Sequence, residues 1–132
     1  MLFHTMVGSN DIERSRQFYD AVIGALGGGK ATLNVAASGH TRLFYRHAGG
    51  TNFVVSQPIN DEPATVANGS TVAFACASPE EVVLFHTTAV ANGGTSIEEA
   101  PGPRESAMRT VHLAYVRDPD GNKLCGIHIP AR

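Results

Sequence analysis

The residues that could do chemistry are few and well separated along the chain. His4 stands in the middle of the apolar run Leu2 to Gly8. Imidazole is the side chain suited to giving or taking a proton in general acid–base chemistry. As a metal ligand His4 would need companions that the sequence does not offer, so a histidine hydrogen-bonded to a neighbour is the favoured reading. Cys125 lies in a second apolar run, Lys123 to Ile129. It reads as a small core hydrophobe, or as a nucleophile if a cation or a histidine lowers its pKa. His112 and His128 occupy the same region of the chain. His128 is three residues from Cys125 and so out of phase with it on a strand, whereas His112 is open to either face. Tyr45 is a wall or core residue that could line a pocket. Arg104 sits with Glu105 in a proline-flanked stretch, where it could meet a polar ligand or remain solvated. The triplet Gly27-Gly28-Gly29 follows a helical pattern instead of opening one, the wrong order for cradling phosphate. No serine-centred nucleophile elbow occurs.

The elements that must position these groups are read from local patterns. Val111 to Arg117 and Lys123 to Ile129 are strand-like and enclose Asp118-Pro119-Asp120-Gly121-Asn122. Proline presets the second position of a type I turn, and Gly121 takes the place where positive φ is needed, so the stretch is a hairpin. At the other end, Leu2 to Gly8 is a short strand. Ser9-Asn10-Asp11 supplies caps for a helix whose face is Ile12, Ser15, Tyr19, Val22 and Leu26, with Asn10 and Glu13 at capping-box spacing. Three strands follow within 31–37, 41–47 and 52–57, joined by connections too short for crossovers and therefore antiparallel.

The plan then repeats. Residues 70–77 form a strand. Ser78, Pro79 and Glu81 open a second helix, with Val82, Phe85, Ala89 and Val90 on its buried face. A short strand over 95–99, a loop over 100–106 and the closing hairpin complete the chain. Asp11 and Ser78, Phe18 and Phe85, and Gly27 and Gly94 are each 67 positions apart. The fold predicted is α+β: one domain over 1–132, made of two tandem βαβββ modules (1–57 and 70–132) joined by a linker over 58–69. The same offset carries His4 onto Thr71.

With 132 residues the chain can bury roughly two thirds of its unfolded surface. A net charge of −2 with no basic stripe argues against nucleic acid. The N-terminal apolar run is too short for a signal peptide or a membrane span. Two cysteines in apolar runs are expected to be reduced thiols in a cytoplasmic protein.

The opening stretch Phe3-His-Thr-Met-Val-Gly-Ser-Asn-Asp-Ile-Glu-Arg-Ser-Arg-Gln-Phe-Tyr19 and the closing Tyr115-Val-Arg-Asp-Pro-Asp-Gly-Asn122 resemble the vicinal oxygen chelate superfamily, the glyoxalase/bleomycin-resistance/extradiol-dioxygenase group. The resemblance covers nearly the whole chain. It implies a paired half-barrel with a small-molecule cleft between the modules, and a homodimer. In metal-dependent relatives, the first and last strands of each module together supply four ligands to a divalent metal. His4 matches the first. Thr71 stands where relatives often have histidine, and Cys125 where they often have glutamate. The fourth strand, Asn52 to Gln57, offers no carboxylate or imidazole, and Ser56 and Gln57 are weak donors. The resemblance therefore implies a largely degenerate metal site at His4, with a divalent metal disfavoured, since catalytic zinc usually takes three protein ligands. Two functions follow: a glyoxalase- or dioxygenase-like enzyme using His4, or a metal-free protein that binds or sequesters a small molecule. Thr71, Cys125, His112, Tyr45, Gln57 and Arg104 are the candidate ligand-binding residues.

Overall fold

The structure, a computed structural model, describes residues 1–105 and 109–130. The first module runs β1 (His4–Gly8), α1 (Ile12–Ala25), β2 (Thr32–Val35), β3 (Thr41–Tyr45) and β4 (Asn52–Ser56). The second runs β5 (Val72–Ala75), α2 (Pro79–Ala91), β6 (Thr95–Glu105), β7 (Thr110–Arg117) and β8 (Lys123–His128). Each module forms one four-stranded sheet, ordered β1-β4-β3-β2 and β5-β8-β7-β6, and the two sheets do not close into a barrel. In both, the first strand pairs in parallel with the last and the remaining ladders are antiparallel.

The helices begin and end as their sequences require. The Asp11 carboxylate accepts the Arg14 amide at 3.1 Å, and the Ser78 hydroxyl accepts the Glu81 amide at 3.1 Å, so each occupies an otherwise orphaned donor. The cap of α1 is thus Asp11 itself and not Asn10. Both helices close the same way. The Gly28 amide reaches the Ile23 carbonyl past Gly27 at φ 85°, and the Gly94 amide reaches the Ala89 carbonyl past Gly93 at φ 100°.

Burial follows the helical period in α1, where Ser15, Phe18, Tyr19 and Val22 face inward. In α2, Val82, Phe85 and Ala89 are buried, but Val90, expected on that face, is exposed. A row of rings joins the two modules into one core. Tyr19 and Phe53 are 4.8 Å apart between centroids, Phe53 and Phe74 are 5.3 Å apart, and Phe74 and Phe85 are 6.1 Å apart.

The stretch 100–106 departs from the expected loop. Residues up to Glu105 belong to β6, and Ser106 lies outside the described residues. The β6–β7 ladder jumps from Ile97–Tyr115 to Gly102–Leu113, with Glu98 at φ 61° inside the jump. A bulge keeps the strand paired across residues whose prolines and glycine would otherwise read as a break.

Two segments bind one module to the other. The linker is irregular but held: Asn10 donates to the Ala64 carbonyl at 3.2 Å and accepts the Ala64 amide at 2.7 Å. A Cβ on Gly8 would stand 3.0 Å from Ala64 Cβ. The Asp118–Asn122 turn of the second module docks on α1 of the first. Asp120 accepts the Asn10 amide at 2.9 Å, the Arg14 guanidinium at 3.1 Å and the Ser15 hydroxyl at 3.1 Å. Asp118 accepts the Tyr19 hydroxyl at 2.5 Å, and Asn122 donates to the Gly8 carbonyl at 3.1 Å. No helix among the described residues is long and apolar enough to cross a membrane.

Candidate functional site: the uncovered sheet faces

Side chains alternate across a strand, so each sheet has two faces. On the first sheet, Val7, Leu43, Tyr45, Phe53 and Val55 belong to the core that α1 covers. His4 and Met6 on β1, Arg42 and Phe44 on β3, and Val54 on β4 therefore occupy the opposite face. On the second sheet, Val72, Phe74, Ala114, Val116 and Leu124 are core, which leaves Ala73, Tyr115, Lys123 and Cys125 on the opposite face. Among the described residues, no helix packs on either of these faces.

The parallel ladders show which positions correspond. Met6 and Ala73 hold the same place in their modules, and their partners are Val54 and Cys125. The antiparallel neighbours of these two are Phe44 and Tyr115. Each face thus has the same centre: a buried small residue beside an aromatic ring, with a cation over that ring. Arg46 stands 5.8 Å from the Phe44 centroid, and Lys123 Nζ 4.6 Å from that of Tyr115. Lys123 also pairs with Glu98 Oε2 at 2.5 Å. Val54 and Cys125 are buried yet lie outside the continuous core.

The remaining predicted residues are dispersed. His4 is exposed, its ring edge-on to Phe3 at 5.8 Å. Thr71 is exposed at the rim of two hollows. One, of about 390 Å³, also takes in Asn68, Arg117 and Lys123; the other, of about 420 Å³, takes in Leu2, Asn52 and Phe74 at the seam between modules. Tyr45 is core, its hydroxyl donating to Asp20 at 2.9 Å. The Gln57 side-chain oxygen Oε1 accepts the Thr41 amide at 2.8 Å. Arg104 donates to the carbonyls of Ala100 at 2.9 Å and Pro103 at 3.2 Å. His112 pairs across the ladder with His128, on the side away from Cys125, and His128 Nδ1 meets the Cys76 carbonyl at 3.0 Å. Sequence reasoning missed Arg42, Phe44 and Val54. The available signal was a strand in which Arg42 and Phe44 alternate with core-facing Leu43 and Tyr45.

Burial pushes the Cys125 thiol above its ordinary range; the Tyr115 hydroxyl bond and the Lys123 charge act the other way without prevailing. Burial likewise raises Cys76 to about 11, and it raises the buried Tyr19 and Tyr45 hydroxyls. Both cysteines are free thiols. These shifts fix the sign of the alkaline stability curve. The folded state holds these protons more tightly than the unfolded chain, so the stabilisation is complete below the ordinary thiol value of 9.0 and is lost as pH rises through about 11. Urea midpoints are expected to be level from pH 7 to 8 and to fall steadily between pH 9 and 11; a flat profile across that window would contradict the assignment.

The family profile for the glyoxalase/bleomycin resistance protein/dioxygenase superfamily matches residues 1–125. The chain belongs to this superfamily. Among solved structures it is similar to a glyoxalase/bleomycin resistance protein from Albidiferax ferrireducens at 50% identity, TM-score 0.90, covering 98% of this chain and 99% of that one. A glyoxalase-related enzyme from Fulvimarina pelagi shares the fold at 20% identity, TM-score 0.71, with 98% and 88% covered. A superfamily enzyme from Burkholderia phytofirmans does so at 16% identity, TM-score 0.67, with 97% and 98% covered. No curated protein matches the chain.

The divalent metal of this superfamily can now be tested against the donors present. The four corresponding positions hold His4, Val54, Thr71 and Cys125. One imidazole, one alkyl group, one hydroxyl and one thiol whose proton is held by burial do not make the three strong donors a catalytic metal requires. Among the described residues, no three of His, Cys, Asp and Glu converge. The residues do not fit the metal.

Proposed function

We propose that this superfamily member is a metal-free small-molecule-binding protein that works as a homodimer, its ligand lying on the uncovered sheet faces. The observation that carries the reading is the pair Val54 and Cys125. At both positions an alkyl group or a protonated thiol is buried beside a half-buried aromatic ring, Phe44 or Tyr115, so each face offers aromatic surface to a ligand body and no ligand to an ion. The exposed apolar side chains Leu2, Phe3 and Met6 border the first face and favour a second copy covering it. The Albidiferax relative is named a glyoxalase/bleomycin resistance protein, and resistance by sequestration is in keeping with this reading. Two free thiols suit a reducing compartment, the cytoplasm. Should the face also catalyse, His4 is its exposed imidazole, able to move a proton without a metal.

Elemental analysis after incubation with zinc, nickel, iron(II) and manganese, with His4→Ala alongside, tests the metal-free part. Substoichiometric and equal retention by the two proteins is expected. Stoichiometric metal that is lost in His4→Ala would overturn it. Light scattering on the eluting protein is expected to give twice the mass of one chain, and a monomer at micromolar concentration would remove the dimer.

A further inference from the structure

Arg42 is out of keeping with its surroundings. It lies on the uncovered face of the first sheet, between Asn34 and Ser56 in the ladders and two residues from Phe44. Its Nε is buried and has no hydrogen-bond partner, the one such side-chain atom found among the described residues. The hydroxyl of its ladder neighbour Ser56 donates to the backbone carbonyl of Gln57 at 2.8 Å and does not accept from Nε. A guanidinium is always charged and presents its donors as a planar fork. A buried donor without an acceptor is costly, and the cost is recovered when an acceptor arrives. The Nε edge is one of the two edges by which arginine takes a carboxylate through paired N–H···O bonds.

Resting on the small-molecule reading above, we propose that Arg42 is the anchor for a carboxylate on the ligand, whose apolar or aromatic body lies along Phe44, Val54 and Met6. Residues two apart on one strand are about 6–7 Å apart. A carboxylate at Arg42 therefore places a ring over Phe44 when a two-carbon spacer joins them. The charge of the group follows from the same face. Its other cation, Arg46, is already stacked on Phe44, so one guanidinium meets one negative charge, which suits a carboxylate better than a phosphate dianion. The corresponding position on the second sheet is Leu113, so the anchor belongs to the first face alone.

The test uses the intact protein with 3-phenylpropionate, 3-phenylpropionamide and 2-phenylethylphosphonate, followed by amide chemical shifts in the protein. The carboxylate is expected to shift the amides of Phe44 and Val54 and to bind about tenfold to a hundredfold tighter than the amide. Arg42→Gln should abolish that preference while amide binding persists, and Arg42→Lys should retain only part of it, since an ammonium lacks the fork. Equal binding of carboxylate and amide at Phe44 would overturn the anchor and leave small-molecule binding standing. Preference for the phosphonate would overturn the carboxylate assignment. Failure of all three to perturb either uncovered face would overturn both readings together. The comparison of carboxylate and amide on the unaltered protein decides the matter even if the variants fold poorly.

Discussion

Asp118→Ala lowers the unfolding free energy by about 3–4 kcal/mol, on the order of a 10 °C fall in melting temperature. The carboxylate is buried and fully used. Oδ1 accepts the Asp120 and Asn122 amides, each at 2.9 Å; Oδ2 accepts the Asn122 side chain at 2.9 Å and the Tyr19 hydroxyl at 2.5 Å. Alanine removes all four acceptor contacts and strands the hydroxyl of Tyr19, a side chain with no exposed surface. The loss reaches beyond the turn. Tyr19 packs on Phe53 and lies at the head of the ring row that joins the modules, and Asp120 leaves the same turn to hold Asn10, Arg14 and Ser15. Asp118→Asn keeps the shape and a carbonyl acceptor, so its cost should lie between wild type and alanine. Urea unfolding followed by circular dichroism measures both. A loss below about 1 kcal/mol for alanine would mean that the turn is local decoration and not the joint between modules.

That joint marks the boundary of what the sequence discloses. The turn itself is local chemistry, and Pro119 with Gly121 at φ 98° forms it as the residue types require. Helix starts and ends are legible for the same reason, because a cap answers to neighbours within a few positions. Long-range consequences are not legible in this way. Nothing near Asp118 announces that its partner is a tyrosine in the first helix. The repeat was visible at 67 positions through the helices, yet the strands after them correspond at 71, as Val54 and Cys125 show. The bulge in β6 contributes to this lengthening, and its prolines and glycine imitate a loop when read locally. A single offset therefore finds Thr71 opposite His4 but misses Val54 opposite Cys125.

The candidate site was legible in its chemistry and not in its geometry. One imidazole, one thiol and a fourth strand without carboxylate or imidazole disfavour a metal once the family resemblance has placed the ligand positions. Which face each group occupies depends on strand register, and register is set by pairing across the sheet. His112 shows this: strand alternation leaves it free until the ladder pairs it with His128, away from Cys125. Arg42 passed unnoticed because a charged residue in a strand is usually a solvated one. Only the packed structure reveals its Nε to be enclosed without an acceptor.

Phe85→Ala is expected to cost about 3–5 kcal/mol, and adding Gly126→Ala should not increase that cost. Phe85 is fully buried, and its ring lies against β8 so closely that a Cβ on Gly126 would stand 2.6 Å from Cδ1 and 2.9 Å from Cγ. The glycine is there for space, since its backbone is not in the positive-φ region. Gly126→Ala alone must displace the ring or the strand, at about 1–3 kcal/mol. Once Phe85 is truncated, the same methyl group enters the cavity instead of a ring. The two substitutions are then strongly non-additive, with the double variant at least as stable as Phe85→Ala alone. The coupling matters for the proposed site because residue 126 follows Cys125. The contact that seats Gly126 on α2 directs the neighbouring Cys125 side chain to the uncovered face, beside Tyr115. In the Gly126→Ala protein, therefore, Cys125 should react faster with a thiol reagent at pH 8, and Phe85→Leu in the same chain should slow it again. Additive stabilities across the cycle, with unchanged thiol reactivity, would show that helix and strand meet without this constraint.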